Sequence, residues 1–149
     1  MAIPTQATSG TEVLRRTGLS ALTNSWTSIK FDGTMSTASS GSNHQGYTVP
    51  ANHIIIVTSV IFCEQGGANE HFHMWVYTAD ATSSDLYLLN EQALPSYGTF
   101  TWADKFVLVG GDKLAVVAAS AANIDVWVNY IDQSWVQEKI NDWYSWKHF

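Results

Sequence analysis

Two histidines, His71 and His73, stand two residues apart in the stretch EHFHMWVY, with Glu64 and Glu70 close by in sequence. On a β-strand, residues i and i+2 face the same side, so both imidazoles can reach one ion and a carboxylate can complete the ligand set. The spacing is all of a metal site that the sequence supplies, because His44 and His53 contribute only if the fold carries them there. A structural or interface role for the pair is therefore expected ahead of a metal, and no cofactor is assigned. Other chemistry has less behind it. No GxSxG, HExxH, phosphate-cradling glycine loop or dinucleotide fingerprint occurs. Cys63 lies in the apolar run HIIIVTSVIFC with no basic neighbour to lower its pKa, which reads as a packed thiol. Asp32, Asp80, Asp85, Asp104 and Asp112 are isolated in polar turns, the usual solvated placement, and nothing selects two of them as a glycosidase pair. Asp80 with Asp85 lacks the ligand order of a calcium loop. No catalytic residue is assigned, and a non-enzymatic function is expected.

The histidine pair resembles the start of the cupin metal motif, but no glutamate follows within a few residues of His73 and no second motif with a later histidine appears. Trp75 and Tyr77 share the face of His71 and His73. Such a strip can stack on a sugar ring, or it can anchor a subunit interface, where Trp and Tyr carry much of the binding energy. The interface reading is preferred on composition.

The elements that would position these residues are strands. Phe72, Met74 and Val76 alternate with His71, His73, Trp75 and Tyr77, so the first set is the expected core face. HIIIVTSVIFC is β-branched on both parities, as in a strand covered on both sides or one long enough to leave one sheet for another contact. Glu12 to Thr17 and Ser25 to Phe31 read as shorter β-type runs, and the polar stretch Asp32 to Gln45 as an exposed, mobile loop. Gly110-Gly111-Asp112 and Ser120 to Asn123 read as hairpin turns between β-rich segments. About eight strands predict an all-β antiparallel sandwich or jelly roll spanning 12–134, preceded by a polar N-terminal arm, 1–11. In the last segment, 135–149, Trp135, Ile140, Trp143, Tyr144, Trp146 and Phe149 make an aromatic tail, short and helical or extended, that must pack on something.

Composition narrows the partners. The 149 residues carry a net charge of −6, and Arg15-Arg16 is the only basic cluster, so nucleic acid is not an expected partner. No apolar run reaches membrane-spanning length and no secretion signal opens the sequence, so synthesis in a cytoplasm is expected and a membrane partner is not. Only 13% of residues are charged, against about 25% in typical soluble domains. With seven Trp, that deficit suggests a surface that faces protein.

The phrases SGTEVLRR, VPANHIIIVTSVIFCEQG, SYGTFTWADKFVLVGGDKLAV and ANIDVWVNYIDQSW together resemble small virion proteins of tailed bacteriophages, particularly of marine and cyanobacterial phages, over about Ser9 to Trp135. The resemblance implies a compact β-sandwich, closed by the strands around Leu108 to Leu114 and Ala122 to Asp132, that serves as a symmetric structural component. The expected function is a capsid decoration or cement protein, self-associating as a trimer and bound by its arm or aromatic tail to the outer shell, with the major capsid protein as partner; a tail, collar or fibre-associated adaptor, with host-glycan binding, is the alternative. Localisation in the virion, after synthesis in a bacterial host, follows from the same resemblance. His71, His73, Trp75, Tyr77, Trp135, Ile140, Trp143, Tyr144, Trp146 and Phe149 are the expected interface residues.

Overall fold

The computed structural model describes residues 11–36, 46–79, 85–120 and 123–135. These residues form β1 (Thr11–Leu22), β2 (Thr27–Ser28), β3 (His53–Glu64), β4 (Glu70–Tyr77), β5 (Asp85–Leu94), β6 (Thr99–Trp102), β7 (Phe106–Val109), β8 (Lys113–Ala118) and β9 (Ile124–Ser134), with no helix among them. Sheet A runs β1-β9-β3-β6, with β7 pairing the first half of β3 on the same side as β6; sheet B runs β2-β8-β4-β5. All pairings are antiparallel.

The strand order is that of a jelly roll. The pairs β4 with β5, β3 with β6 and β7, β2 with β8, and β1 with β9 are successive rungs of one long hairpin, rolled so that its two halves face each other. The turns at Gly110-Gly111-Asp112 and at Ser120 to Asn123 therefore do not make hairpins, as expected from the sequence: each carries the chain from one sheet to the other. Turn chemistry specifies where the chain reverses, and not which sheet receives the next strand. The sequence also divides the early strands differently. β1 runs on to Leu22, whereas the run from Ser25 to Phe31 contains only the two-residue β2.

The inward faces meet in one core. Phe72, Met74 and Val76 lie in it as expected, with Ile55, Val57, Val60 and Phe62 of β3 and Val126, Val128 and Tyr130 of β9. Phe62 stacks on Phe72 with ring centroids 4.0 Å apart, and Phe100 meets Phe72 edge-on at 5.7 Å. Truncating either buried ring to Ala would cost about 3–5 kcal/mol. A bulge at Thr58, between Val57 and Ser59, keeps both halves of β3 facing inward.

Buried carboxylates close the strand ends, a role that their isolated spacing did not reveal. Glu64 accepts backbone hydrogen bonds from Gly66 (2.5 Å) and Gly67 (2.9 Å) in the turn after β3. Its Oε2 also accepts one from Tyr97 (2.8 Å), in the turn between β5 and β6. Asp112, expected to be solvated, is buried instead and accepts hydrogen bonds from the Val109 and Ala79 amides. The start of the 32–45 loop is likewise held. Ser36 is buried, its amide donates to Gly18 O and its hydroxyl accepts from the Lys30 amide; residues 37–45 lie outside the described residues.

Two outcomes follow from these turns. The Tyr97 amide, with those of Gly67 and Gly66, holds the Glu64 carboxyl below its ordinary value of 4.5. Its stabilisation is thus complete above the unfolded value and is lost as pH falls through the folded one. Glu64→Gln should lower the melting temperature at pH 7, with the gap to the parent narrowing toward pH 3; a gap independent of pH would show that charge does not hold these turns. Gly111 sits at φ +92°, and a Cβ there would lie 2.7 Å from the Cβ of Ala79. Gly111→Val should cost about 1–3 kcal/mol in chemical denaturation; an unchanged midpoint would contradict this geometry.

Candidate interaction surface

The four expected β4 residues do share the outer face of sheet B, but they do not form an open aromatic strip. Trp75 is 0% exposed. It lies on Ala115 and Val117 of β8, and Trp26, from the segment before β2, crosses it edge-on at 82°. Ala115, directly opposite Trp75 on the neighbouring strand, leaves room for the indole, and the Trp26 ring packs over it. Trp75 therefore has no free ring to stack on a sugar or to anchor a partner. The indole nitrogen of Trp75 is buried without a hydrogen-bond partner among the described residues.

His73 is engaged as well. Its Nδ1 lies 3.0 Å from Asn90 Oδ1, and its Nε2 lies 3.3 Å from Glu91 Oε1. His71 is exposed, beside Asn69, Glu70 and Pro95. Tyr77 is half-buried, with Lys113 Nζ 5.9 Å from its ring centre. His53 has gone elsewhere, to the far end of the core, where its Nδ1 is 2.7 Å from Asp132 Oδ1 and Arg15 approaches the other oxygen at 3.8 Å. No group of three or more His, Cys, Asp or Glu close enough to hold a metal occurs among the described residues. Of the expected tail contacts, Trp135 is half-buried, with its amide 3.2 Å from Asn52 O. Ile140, Trp143, Tyr144, Trp146 and Phe149 lie outside the described residues.

Among the described residues, a continuous apolar surface lies on the opposite side of the molecule, and the sequence pattern does not reveal it. On the outer face of sheet A, the register sets Leu14 of β1 opposite Ile131 of β9, Ile131 opposite Ile56 of β3, and Ile56 opposite Val107 of β7. This apolar row crosses the whole sheet. Its ends are open, with Leu14 76% and Val107 57% exposed, and its middle is half-buried. The row on one side is Glu12, Gln133, Ile54 and Val109; the row on the other is Arg16, Asn129 and Ser59. Beyond that row, Trp127, Ile61, Leu19 and Met35 line a shallow groove of about 260 Å³. Gly18 makes room for the groove, since a Cβ there would fall 2.6 Å from Val126 O and 3.1 Å from the Met35 methyl. No single segment carries the signal for this surface, because each of four strands contributes one residue to the row.

No protein-family model matches the chain, and no curated protein is significantly similar to it in sequence. Among solved structures it is similar to a chain from the acid-stable capsid of Helicobacter pylori bacteriophage KHP30 (TM-score 0.41, 11% identity, 83% of this chain and 92% of that one). It is also similar to the tumour necrosis factor Eiger from S. frugiperda (TM-score 0.34, 11% identity, 87% of each chain). The globular domain of zebrafish complement 1qA is a third such structure (TM-score 0.30, 13% identity, 82% of this chain and 94% of that one). These overlaps are loose, and the jelly-roll assignment rests on the strand order itself.

The covering of Trp75 can be checked in solution. Trp26→Ala should leave the strands in place, shift tryptophan emission to the red, and cost about 2–3 kcal/mol, below the range for a fully buried indole because Trp26 is itself half-exposed. Unchanged emission would mean that Trp26 does not shield Trp75.

Proposed function

We propose that this chain is a non-enzymatic structural subunit of a phage virion, acting as a decoration or cement protein docked on the outer capsid shell through the outer face of sheet A. One observation carries the docking reading: the row Leu14, Ile131, Ile56 and Val107 spans the sheet without a charge and is open at both ends. A sheet face that ends in water is ordinarily polar at alternate positions, and an apolar row of this length is the mark of a protein contact. The virion setting rests on the resemblance of its phrases to those of small tailed-phage virion proteins, and the charge-poor composition supports it.

The size of the face favours many weak contacts over one strong one. Four strands about 4.8 Å apart and four side-chain rows about 6.8 Å apart cover roughly 500 Å², less than the roughly 800 Å² per partner of a standard stable interface. A shell presents its sites in many copies, so modest contacts sum through multivalency. A tail or collar position would use the same face on a different partner, and an imaged particle with this chain located distinguishes the two.

Mixing the purified protein with expanded, undecorated capsids of its own phage should give stoichiometric binding. Val107→Glu, at an exposed position, should keep the fold and lower occupancy about tenfold or more, since it sets an unpaired charge in an apolar contact. Absence of binding by the parent chain would remove the decoration assignment; full binding by the variant would move the contact off this face.

A further inference from the structure

Three of the four sheet edges are blunted. β2 is two residues long, β6 and β7 break the far edge of sheet A into short pieces, and β5 is interrupted by register shifts, with Glu91 at φ +53°. The remaining edge is β1. Thr11 to Arg16 are all exposed and contain no Pro, Gly or bulge; Gly33 lies against the Arg15 guanidinium, but among the described residues no segment hydrogen-bonds to their backbone on the side away from β9. An edge of this kind is a template for another strand, and natural proteins rarely leave one unmanaged. It closes only at Thr17 and Gly18, where Thr17 Oγ1 donates to Thr34 O and Gly18 O accepts from the Ser36 amide, each at 2.7 Å.

That last bond sets the direction of the free backbone groups. Gly18 O points away from β9, and backbone groups alternate sides along a strand. Arg16, Leu14 and Glu12 therefore also present their N–H and C=O groups to the open edge.

We propose that two copies of this chain pair antiparallel through β1, about a two-fold axis normal to sheet A that passes between the two Leu14 residues. Residues directly opposite in an antiparallel ladder share a face. Centring on Leu14 sets Leu14 against the partner's Leu14 and Glu12 against the partner's Arg16, the latter pairing occurring twice by symmetry. Each of these residues turns its backbone groups to the new edge, so each pair exchanges both of its hydrogen bonds. The neighbouring symmetric register, centred on Val13, leaves both arginines without an acidic partner; charge therefore selects Leu14. Both charged side chains are already held on the outer face, Glu12 Oε2 by Gln133 Nε2 at 3.0 Å and Arg16 over the Trp127 ring at 5.0 Å. The paired stretch runs from Thr11 to Thr17 and ends where the 34–36 segment closes the edge. The apolar row then continues without a break into the partner, which doubles the open face of sheet A. A closed trimer, expected on the sequence resemblance, makes no use of this two-fold pairing.

The native mass of the full-length protein, by sedimentation or light scattering, should be twice the 16.4 kDa of one chain. Glu12→Arg and Arg16→Glu, each folded by circular dichroism, should each weaken the dimer about tenfold or more, because two attractive pairs become repulsive. The double variant should bring affinity back to within about threefold of the parent. In a Cys63→Ser background, Leu14→Cys should cross-link under mild oxidation, since Cα atoms about 5.5 Å apart in a hydrogen-bonded pair suit a disulfide. Val13→Cys should not. A monomer at every concentration, a mass of three chains, an unrestored double variant, or Val13→Cys cross-linking ahead of Leu14→Cys would each overturn the pairing. The pairing does not rest on shell binding: a dimer that ignores capsids would remove only the docking reading, and a monomer that decorates them would remove only this one.

Discussion

A twelve-residue strand and a two-residue strand share one corner of this jelly roll, and much of the molecule follows from that mismatch. β1 extends the whole length of β9, but β2 on the facing sheet is too short to cover its first half. The result is an overhang in which Val13 and Leu14 are both exposed although they point to opposite faces. The core must end before the overhang. It does so at Tyr130, whose hydroxyl accepts from the Gly33 amide, and at Asp132, held by His53 and approached by Arg15. Burial pushes the Tyr130 phenol up from its ordinary value and keeps it neutral as a hydrogen-bonding lid.

The charge-poor composition reads differently once the faces are known. Part of the missing surface charge is explained inside the chain, because Trp26, Trp75, Ala115 and Val117 form a second apolar cluster on the outside of sheet B. Aromatic residues that look like an interface in sequence are used there to roof the domain's own sheet. Among the described residues, the outer face of sheet A has no such roof; it is aliphatic more than aromatic, and its large ring, Trp127, is partly covered by Arg16.

Stability at the strand ends rests on buried acids accepting backbone hydrogen bonds. Glu64 ties two turns from different parts of the chain, and Asp112 ties the β7–β8 turn to Ala79. A carboxylate that satisfies several amides replaces its hydration shell in full, which makes burial of the charge tolerable and fixes the turn geometry. The same demand explains why neither acid is free to serve as a metal ligand or a general base.

Local sequence determined what depends on neighbours along the chain. The alternation in EHFHMWVY placed Phe72, Met74 and Val76 in the core and turn residues marked the reversals, because side-chain period and backbone preference are properties of a few consecutive residues; the both-parity run of β3 does not mean cover on both faces, since the bulge at Thr58 switches its inward parity and its outer face stays open. Tertiary structure alone decided which strand lies beside which. That choice put a second indole over Trp75, sent His53 to Asp132 instead of toward His71 and His73, turned two apparent hairpins into crossovers, and aligned Leu14, Ile131, Ile56 and Val107 from four separate strands into one row. Register between distant strands is set by the packing of whole faces against each other, and no short window of residues contains that information.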